Sequence, residues 1–506
     1  MTRFVQPVGL RLDQLYHAIG PIRHSGTLHG EISDVTYDSR SVQPGALFVA
    51  LPGETTHGDR YIADAIQRGA VAVLGGAWCA TPRNIPFFEV EDPRRAMAKA
   101  ACALYTHPSS RLRTVGVTGT NGKSTVAFLL RDVLRSAGGC SGLLGTLQYE
   151  FDGRRLPSRL TTPEAPDLQR MMYEMVQAGC DSVVMEVSSH ALAQNRVFGV
   201  DFNISIFTNL NQDHLDYHRT LDEYFETKSQ LFCDKRGYAD KETAYVLNMD
   251  DPWGRKLISR SKNRGNMVTY GMSSKACVRA ENIRMHAQGT TCTIRSPWGS
   301  STLETRLLGR FNVSNLLAAI SAANLLGIEE HLVVEALNRF HPVPGRMEEI
   351  PNDHQLRIFV DYAHTEDALV NVLRTLQEVY DGRLIVVFGC GGDRDRAKRP
   401  RMGAAAVRWA NEVVLTSDNP RSEDPNQILE EIRNGCGDEG NIRRIVDRRD
   451  AIEFALRLAE AGDVVLIAGK GHEKIQEIGS SLVQFDDRAI VRDWLGNACS
   501  ADLHVR

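Results

Sequence analysis

The sequence lacks the long apolar runs and the excess of basic residues that would each indicate a particular class of protein. No stretch of about 18 apolar residues occurs, so no membrane-spanning helix is expected. No apolar signal core follows Met1, and we therefore expect a cytoplasmic protein without integral membrane contact. A formal net charge of -4 gives no overall electrostatic reason to bind nucleic acid.

Cysteine pairs at the spacing of a metal site or a redox motif are also missing. The ten cysteines are scattered, which predicts free thiols. No convincing internal repeat is present. With 42% hydrophobic and 24% charged residues, the composition is that of an ordinary globular protein and not that of a fibrous or disordered one.

The length and the positions of proline and glycine predict three domains. A chain of 506 residues exceeds one core, and about 150 residues per domain is a reasonable prior. Residues 107–110 and 341–345 are candidate linkers, which places the domains at 1–106, 107–340 and 341–506. The first domain is expected to be small and mixed α/β, and the other two to contain parallel sheets. The predicted buried strands of those sheets are 113–117, 182–187, 203–207, 244–247, 357–360, 384–388, 413–416, 444–446 and 464–468.

A glycine-rich loop between a predicted strand and a helical pattern is the strongest local signal. Glycines at such a position expose backbone N–H groups to a phosphate. Lys123 supplies a cation for the β- and γ-phosphates, and the Ser124 hydroxyl can bind Mg²⁺. Val117 stands where the general phosphate-loop pattern has glycine, so a purely structural turn is the alternative. The predicted ATP-binding residues of this loop are Gly119, Thr120, Asn121, Gly122, Lys123, Ser124 and Thr125.

This loop and four further motifs, in the same order, resemble those of the Mur ligases. The four motifs are Thr161-Thr162-Pro163-Glu164, Glu186-Val187-Ser188-Ser189-His190, Asp213-His214-Leu215-Asp216-Tyr217-His218 and Gly469-Lys470-Gly471-His472-Glu473. The resemblance spans essentially the whole chain and is greatest to the members that add diaminopimelate. It implies an α/β protein of three domains: a small N-terminal mixed α/β domain, a central P-loop ATPase-like domain and a C-terminal Rossmann-like domain.

The same resemblance implies an activity and its substrates. The expected enzyme is an ATP-dependent acid–amino-acid ligase that acts through an acyl phosphate in peptidoglycan synthesis, and so supports cell shape and division. The implied substrates are UDP-N-acetylmuramoyl-L-alanyl-D-glutamate, meso-2,6-diaminopimelate and ATP. Mg²⁺ is the implied cofactor, and a monomer is expected. The alternatives are a lysine-adding or other Mur-type ligase, a folylpolyglutamate synthase, and a nucleotide-binding regulator without catalysis.

Catalytic and metal-binding roles also follow from the resemblance. Ser124, Glu186 and His214 are implied ligands of Mg²⁺. Lys228 resembles the family lysine that reacts with CO2, and as N6-carboxylysine it would be an anionic ligand where an ammonium would repel the metal. Without the resemblance, His214 is an ordinary surface histidine and Lys228 a solvated helical lysine. The residues with implied catalytic roles are Lys123, Lys228, His214 and His364.

Polar residues outside the loop are assigned to the nucleotide and to the UDP-linked substrate. Asn315 and Arg346 are expected to contact ATP, although a salt bridge at a domain interface is an alternative for Arg346. Hydroxyl, amide and guanidinium groups suit the phosphate, amide and carboxylate groups of the muramoyl substrate. The residues implied for that substrate are Ser39, His57, Thr161, Thr162, Ser188, Gln194 and Arg196.

A final group of residues is implied for the incoming amino acid. Arg421 and Arg394 can pair with the distal carboxylate of diaminopimelate, and Glu473 can accept from its distal ammonium. Such a site would reject L-lysine, because the arginine hydrogen bonds would be left unmade. A simple turn at residues 418–421 is the alternative. The implied residues are Arg394, Asp418, Asn419, Pro420, Arg421, Gly469 and Glu473.

Overall fold

The computed structural model describes residues 7–53, 56–82, 84–233, 241–261, 266–437 and 441–502. Within them, a smaller and two larger sheets follow one another along the chain, each covered by its own helices. No helix in these ranges has the length and apolar composition needed to cross a bilayer. The three-domain α/β architecture expected from the resemblance is confirmed, while the domain boundaries themselves stay predictions.

The N-terminal part is a small mixed α/β unit. Its sheet has the order β2-β7-β6-β5-β4, in which β4 to β7 are parallel and β2 is antiparallel. Asp92 caps α3 by accepting from the Arg95 backbone N–H at 3.0 Å, and Pro93 occupies the first turn. The elements are β1 (Leu10–Arg11), α1 (Leu12–Ile19), β2 (Arg23–Ser25), β3 (Glu31–Ile32), β4 (Asp34–Thr36), β5 (Ala46–Val49), α2 (Ile62–Gln67), β6 (Ala72–Gly75), β7 (Phe87–Glu89) and α3 (Pro93–Leu104).

The first predicted linker is packed against the central part of the chain. Pro108–Arg111 form a single 3₁₀ turn, in which Pro108 and Ser109 are buried. The Ser109 hydroxyl donates to Asp201 at 3.3 Å. The proline and polar residues that indicated a linker therefore form an anchored connection.

The central sheet has the order β11-β10-β9-β12-β8-β13-β14-β15-β16-β17-β18. In this order, each strand from β9 across to β16 is parallel to the next one. The strands at the two edges, β11 and β10 on one side and β17 and β18 on the other, pair antiparallel. The chain leaves β8 toward β9 on one side and later places β13 on the other, so the carboxyl end of β8 is a topological switch point, where ligands bind in such sheets. The elements are β8 (Arg113–Thr118), α4 (Lys123–Ser136), β9 (Ser141–Leu144), β10 (Gln148–Phe151), β11 (Arg154–Pro157), α5 (Ala165–Gln177), β12 (Ser182–Glu186), α6 (Ser189–Ala193), β13 (Ile204–Phe207), α7 (Leu221–Cys233), β14 (Ala244–Asn248), α8 (Pro252–Ser261), β15 (Met267–Gly271), β16 (Val278–His286), β17 (Gly289–Ser296), β18 (Gly299–Thr305), α9 (Arg310–Leu325) and α10 (Glu330–Asn338).

The C-terminal sheet has the order β19-β20-β24-β21-β22-β23 and is parallel except for β19. The strand predicted at 444–446 is wrong in position, because β23 ends at Arg444. Ile445 lies in the loop after the strand, and its apolar side chain packs against the core. The edge strand itself is polar and largely exposed, so it has no apolar run that would predict it. The elements are β19 (Glu348–Ile350), β20 (Arg357–Asp361), α11 (Glu366–Val379), β21 (Leu384–Phe388), α12 (Lys398–Trp409), β22 (Glu412–Leu415), α13 (Pro425–Arg433), β23 (Asn441–Arg444), α14 (Arg448–Leu458), β24 (Val464–Ala468), β25 (Ile475–Ile478), β26 (Ser481–Gln484) and α15 (Asp487–Asp502).

A fully buried ion pair joins the first residues of α14 and α15. Arg448 donates through Nε and Nη2 to the two carboxylate oxygens of Asp487, each at 2.8 Å, and neither side chain is exposed. Removing one partner of a buried pair costs about 3–5 kcal/mol, because the other charge stays buried without compensation. We expect Asp487→Ala to lower the free energy of unfolding of the C-terminal part by about that amount, measured by urea denaturation.

The matched control is the exposed pair Arg339–Glu335 on α10. Exposed pairs contribute about 0–1 kcal/mol, so Glu335→Ala should barely change the denaturation midpoint. Equal effects of the two variants would contradict the assignment of a buried, structurally required pair.

Candidate active site

The glycine-rich loop lies at the carboxyl end of β8 and opens α4. Gly122 has φ +85°, and a Cβ there would collide with the Asn315 side chain of α9, so glycine is required. The Asn121 backbone N–H donates to Asn209 Oδ1 at 2.9 Å, which fixes the loop from the β13 side. The predicted strand, loop and helix are thus confirmed, and the N-terminus of α4 is free to face an anion.

Two lysines converge on one carbonyl of this loop. Lys123 Nζ donates to Gly119 O at 2.9 Å, and Lys228 Nζ, from α7, donates to the same oxygen at 3.0 Å. Burial, and then the opposite lysine, lower the pKa of Lys228 well below its usual value. Burial also lowers the pKa of Lys123, partly offset by the carboxylates of Glu186 and Asp213. Lys228 is 1% exposed, so it is not the solvated lysine of the alternative interpretation.

Glu186 ends β12 as a buried carboxylate held in one orientation. Its Oε1 accepts from the Thr146 backbone N–H at 2.9 Å and its Oε2 from the Thr146 hydroxyl at 3.0 Å. A Cβ on Gly145 would overlap Glu186 Oε1, so this glycine allows the loop to pass the carboxylate. The fixed carboxylate lies within electrostatic reach of Lys123.

Two histidines flank a carboxylate between the central and C-terminal parts. Asp213 Oδ2 lies 3.3 Å from His214 Nε2 and 3.8 Å from His364 Nε2. Burial would raise the pKa of Asp213, but His364, His214 and Lys398 outweigh it and hold that pKa well below its usual range. Burial lowers the pKa of His214 to about 3, so its imidazole is neutral at physiological pH and can donate a lone pair to a metal.

The implied metal ligands are chemically suited to Mg²⁺. Within the described ranges, no group of three or more His, Cys, Asp and Glu side chains is placed to hold a metal by itself. The implied set instead combines the Ser124 hydroxyl, the Glu186 carboxylate and the neutral His214 imidazole with Lys228 as a carbamate. Oxygen donors and carboxylate charge are what Mg²⁺ prefers, and such sites commonly use few protein ligands beside substrate phosphates.

A cleft of about 150 Å³ separates the loop from the C-terminal part. Asn315 and Arg346 both line it, as predicted for the nucleotide. Arg346 Nη2 donates to the Ser124 hydroxyl at 3.3 Å, and its guanidinium lies 4.4 Å from the centre of the Tyr362 ring. Its buried Nε has no hydrogen-bond partner among the described residues. Arg346 therefore presents an unused donor beside the phosphate loop, instead of the salt bridge considered as an alternative.

Five of the residues implied for the UDP-linked substrate form one network around Glu186. Thr162 donates to the Glu186 carbonyl at 2.8 Å and accepts from the Ser188 backbone at 3.1 Å. Thr161 Oγ1 lies 3.1 Å from Thr146 Oγ1. Arg196 Nη1 donates to the Thr162 carbonyl at 3.1 Å, and its Nε donates to Gln194 Oε1 at 3.1 Å. The members of this network are Thr161, Thr162, Ser188, Gln194 and Arg196.

The other two, Ser39 and His57, lie in the N-terminal part. Ser39 is buried in a short 3₁₀ turn capped by Asp38, and the His57 ring lies 5.2 Å from that of Trp78. In the described parts of the chain, no hydrogen bond, ion pair or ring contact joins either residue to the network around Glu186. Their assignment to the UDP-linked substrate stays a prediction.

The residues implied for the amino acid gather at the carboxyl ends of β21, β22 and β24. Arg421 Nη1 donates to the Gly392 carbonyl at 2.7 Å, and its Nε pairs with Glu477 at 2.7 Å. Glu473 Oε2 accepts from Asn419 Nδ2 at 3.0 Å. A Cβ on Gly391 would lie 3.0 Å from Arg421 Nη1 and 3.7 Å from Arg394 Cγ, so both arginines border the same glycine turn. The members of this pocket are Arg394, Asp418, Asn419, Pro420, Arg421, Gly469 and Glu473.

Three residues of this site were not predicted. Lys470 is fully buried and donates to Asn419 Oδ1 at 2.9 Å and to Glu473 Oε2 at 3.0 Å, so it orients the pocket. Glu477 fixes Arg421. Asp213 and Lys470 both lie inside recognised motifs. The available signal was a charged residue directly next to residues that had been assigned a role. Glu477 offered no local signal, because its role depends on the return of β25 to the pocket.

Contacts across the cleft hold the two larger sheets face to face. Gln212 Nε2 donates to Asp395 Oδ2 at 2.9 Å, and Gln212 Oε1 accepts a hydrogen bond from Arg401 Nη1. Arg394 Nη1 lies 3.9 Å from Asp216 Oδ2. Arg394 of the arginine pocket therefore lies next to the loop that carries Asp213 and His214.

Comparison with protein families gives matches along most of the chain. Residues 31–105 match the model described as Mur ligase family, catalytic domain. Residues 117–323 match the Mur ligase middle domain, and residues 345–471 match the Mur ligase, glutamate ligase domain.

Individual relatives agree with these matches. A protein of Geobacter metallireducens named UDP-N-acetylmuramoyl-L-alanyl-D-glutamate--2,6-diaminopimelate ligase is 44% identical, over 95% of this chain and 97% of its own. A protein of Geobacillus thermodenitrificans with the same name is 45% identical, over 91% of this chain and 94% of its own. A solved structure of a ligase of that name has a TM-score of 0.68 at 34% identity, covering 97% of this chain and 99% of that one. The MurF ligase of Thermotoga maritima in complex with ADP has a TM-score of 0.63 at 18% identity, covering 92% and 96%, and this likeness concerns the fold alone.

Proposed function

Because this chain belongs to the Mur ligase family, we propose that it is the ATP-dependent ligase that joins 2,6-diaminopimelate to UDP-N-acetylmuramoyl-L-alanyl-D-glutamate. The observation that carries this proposal is a phosphate loop with two buried lysines, together with an arginine pocket whose Arg394 approaches Asp216 in the loop that carries His214. The proposal includes the meso isomer of the amino acid, Mg²⁺ as cofactor and a cytoplasmic location.

The reaction needs an activated carboxylate and a positioned amine. The D-glutamyl carboxylate attacks the γ-phosphate of ATP, which gives an acyl phosphate and ADP. The amino group of diaminopimelate then attacks the acyl carbon, and phosphate leaves as the amide forms. Every atom is supplied by the substrates, so the protein contributes position and charge and forms no covalent intermediate.

Each proposed catalytic residue acts on charge or geometry. Lys123 belongs to the phosphate loop and Arg346 contacts Ser124 of that loop, so both would stabilise the negative charge that develops on the phosphates. Ser124, Glu186, His214 and a carbamate on Lys228 would hold Mg²⁺, which would supply further charge stabilisation at the phosphates.

On the other side of the cleft, His364 is ordered by its Nδ1 contact to the Tyr362 carbonyl at 2.9 Å. Its Nε2 faces Asp213, so this histidine links the C-terminal part to the metal-side loop near the reacting groups. We propose that it helps to orient these groups when both sheets enclose the substrates.

The direct test is phosphate release from ATP in the presence of Mg²⁺ and the UDP-linked dipeptide, with meso-diaminopimelate or L-lysine as the amine. Strong preference for diaminopimelate, with the tripeptide product identified by mass, is expected. Preference for L-lysine would refute the proposal that the arginine pocket selects diaminopimelate. If folded protein, as shown by a cooperative thermal transition, gave no product with either amine, the proposed ligase activity would be refuted.

The hydrogen bonds of Asp367 across the cleft give a further prediction. Asp367 of α11 accepts from Asn211 at 2.7 Å and from Asn121 of the phosphate loop at 3.5 Å, and thus links the two sides of the cleft. A hydrogen bond to a charged group is worth about 1.5–3 kcal/mol. We expect Asp367→Ala to raise the KM for ATP about tenfold or more, measured by steady-state phosphate release at saturating concentrations of the other substrates.

The neighbouring Glu366 provides a matched control, since it is an exposed acidic residue on the first turn of the same helix. Glu366→Ala should leave the KM for ATP near the wild-type value. If both variants raised it equally, general electrostatics and not the Asp367 link would be responsible.

A further inference from the structure

Two thiols that are 40 residues apart in the sequence meet at the amino-terminal edge of the central sheet. Cys140 immediately precedes β9 and Cys180 lies just before β12, and their Sγ atoms are 3.1 Å apart. The cysteines are scattered along the sequence, as expected, but the fold brings these two together. Neither thiol takes part in the proposed ligation, because the phosphate loop and Glu186 lie at the opposite ends of the strands.

The backbone around the two thiols is already fixed by the sheet. The N–H groups of Asp181 and Ser182 donate to the Cys140 carbonyl at 3.0 and 3.4 Å, and Ser182 is in register with Ser141. Neighbouring strands are about 4.8 Å apart, which is within the range of backbone separations that disulfides span. The sulfurs need to approach by only about 1 Å to reach the disulfide bond length of about 2.04 Å.

We propose that Cys140 and Cys180 form an oxidisable dithiol, in which a hydroperoxide converts the pair into an intramolecular disulfide. The Cys140 sulfur attacks the peroxide oxygen, the O–O bond breaks, and Cys140 becomes a sulfenic acid as an alcohol or water leaves. The Cys180 sulfur then attacks the Cys140 sulfur. The S–S bond forms, the S–O bond breaks, and water leaves with the proton of Cys180. The two thiols together lose two electrons, which reduce the peroxide.

Exposure decides the order of these steps. Cys140 is exposed to solvent, whereas Cys180 is 6% exposed and packs in the core beneath β12. Burial, and then the contact with Cys140, raise the pKa of Cys180 to about 12, so it remains a thiol at neutral pH. A hydrogen bond from the Asp152 backbone lowers this pKa and the Asp152 charge raises it, both by less than burial does. Asp181, the residue after Cys180, pairs with Arg113 at 2.9 Å. Cys140 is therefore the residue that attacks the peroxide, and Cys180 is the resolving thiol.

Limited treatment of the full chain with hydrogen peroxide, followed by trypsin digestion without reductant, tests this proposal. We expect the peptide of residues 136–154 to be joined to that of residues 171–196, with the mass of two hydrogen atoms lost. Dithiothreitol should separate them and restore both thiols. Cys277→Ser is the matched control, since Cys277 is also exposed and its Sγ accepts a hydrogen bond from Thr269.

The two cysteine variants distinguish the order of reaction. Cys140→Ser should abolish the linked peptide and leave Cys180 unoxidised, whereas Cys180→Ala should leave Cys140 as a sulfenic acid that dimedone traps. The control Cys277→Ser should form the linked peptide as the wild-type chain does. Oxidation of wild-type Cys140 to sulfinic or sulfonic acid without the linked peptide, or a disulfide between two chains in its place, would overturn the proposal. Neither outcome would bear on ligase activity, which is measured separately.

Discussion

Replacing Lys228 with methionine should reduce ligase activity by about 100- to 1,000-fold. The Lys228 amine is buried, shares the Gly119 carbonyl with Lys123, and has a pKa far below the usual value of a lysine. A neutral buried amine is a nucleophile, and reaction with CO2 would replace this neutral group by an anion beside Lys123. Methionine keeps the apolar stem and removes this chemistry. Steady-state phosphate release measures the loss, and carbon-13 NMR in labelled bicarbonate should show a carbamate signal only in the wild-type protein.

Lys256→Met is the control for this substitution. Lys256 is 40% exposed on α8 and pairs with Asp222 at 3.0 Å, so it resembles the solvated lysine that Lys228 would otherwise be. It should retain near wild-type activity and contribute no carbamate signal. Full activity of Lys228→Met at low bicarbonate would refute the proposed role of Lys228.

Replacing Arg421 with alanine should lower kcat/KM for diaminopimelate by about 30- to several-thousand-fold, which corresponds to about 2–5 kcal/mol. Arg421 is held by Glu477 and by the Gly392 carbonyl, so its guanidinium is placed before the substrate arrives. Losing it would leave the distal carboxylate of diaminopimelate unpaired inside the pocket. Arg421→Lys keeps the charge but not the planar pair of donors, and should recover only part of the activity.

Competition between diaminopimelate and L-lysine separates this role from a structural one. The preference for diaminopimelate should fall in Arg421→Ala, while the KM for ATP stays close to the wild-type value. Arg457→Ala, at an exposed position of α14 paired with Glu453, should change neither quantity. An unchanged preference in Arg421→Ala would show that other groups read the distal carboxylate.

The parts of the fold that were predicted are those with a strong local pattern. The predicted buried strands and helix α4 have continuous apolar runs or helical spacing, and they occur as predicted apart from β23, whereas the parallel strands β9 and β15 were missed. The antiparallel strands β16 to β18 were missed, although their residues alternate between buried and exposed faces as antiparallel strands do. A period of two is a weaker local signal than the continuous apolar runs of the buried parallel strands.

The site was predicted where residues stand together in a motif. The phosphate loop, Glu186, His214 and the residues around Arg421 were assigned in this way, and their binding roles stay proposals. The contact of Asp213 with His364 and the meeting of Cys140 with Cys180 bring together residues from distant segments, and no spacing in one sequence encodes such contacts. The hydrogen bond of Lys470 to Asn419 likewise joins two segments that are 51 residues apart.

The buried pair of Arg448 and Asp487 has a consequence for how the end of the chain can be altered. Arg448 also donates to the carbonyl of Ala468, the residue just before Gly469 and Lys470 of the amino-acid pocket. A deletion that begins at Asp487 would therefore leave a buried cation next to that pocket, far from the cut in sequence but adjacent to it in space. Shortening the chain into α15 should therefore impair recognition of the amino acid before it unfolds the phosphate loop.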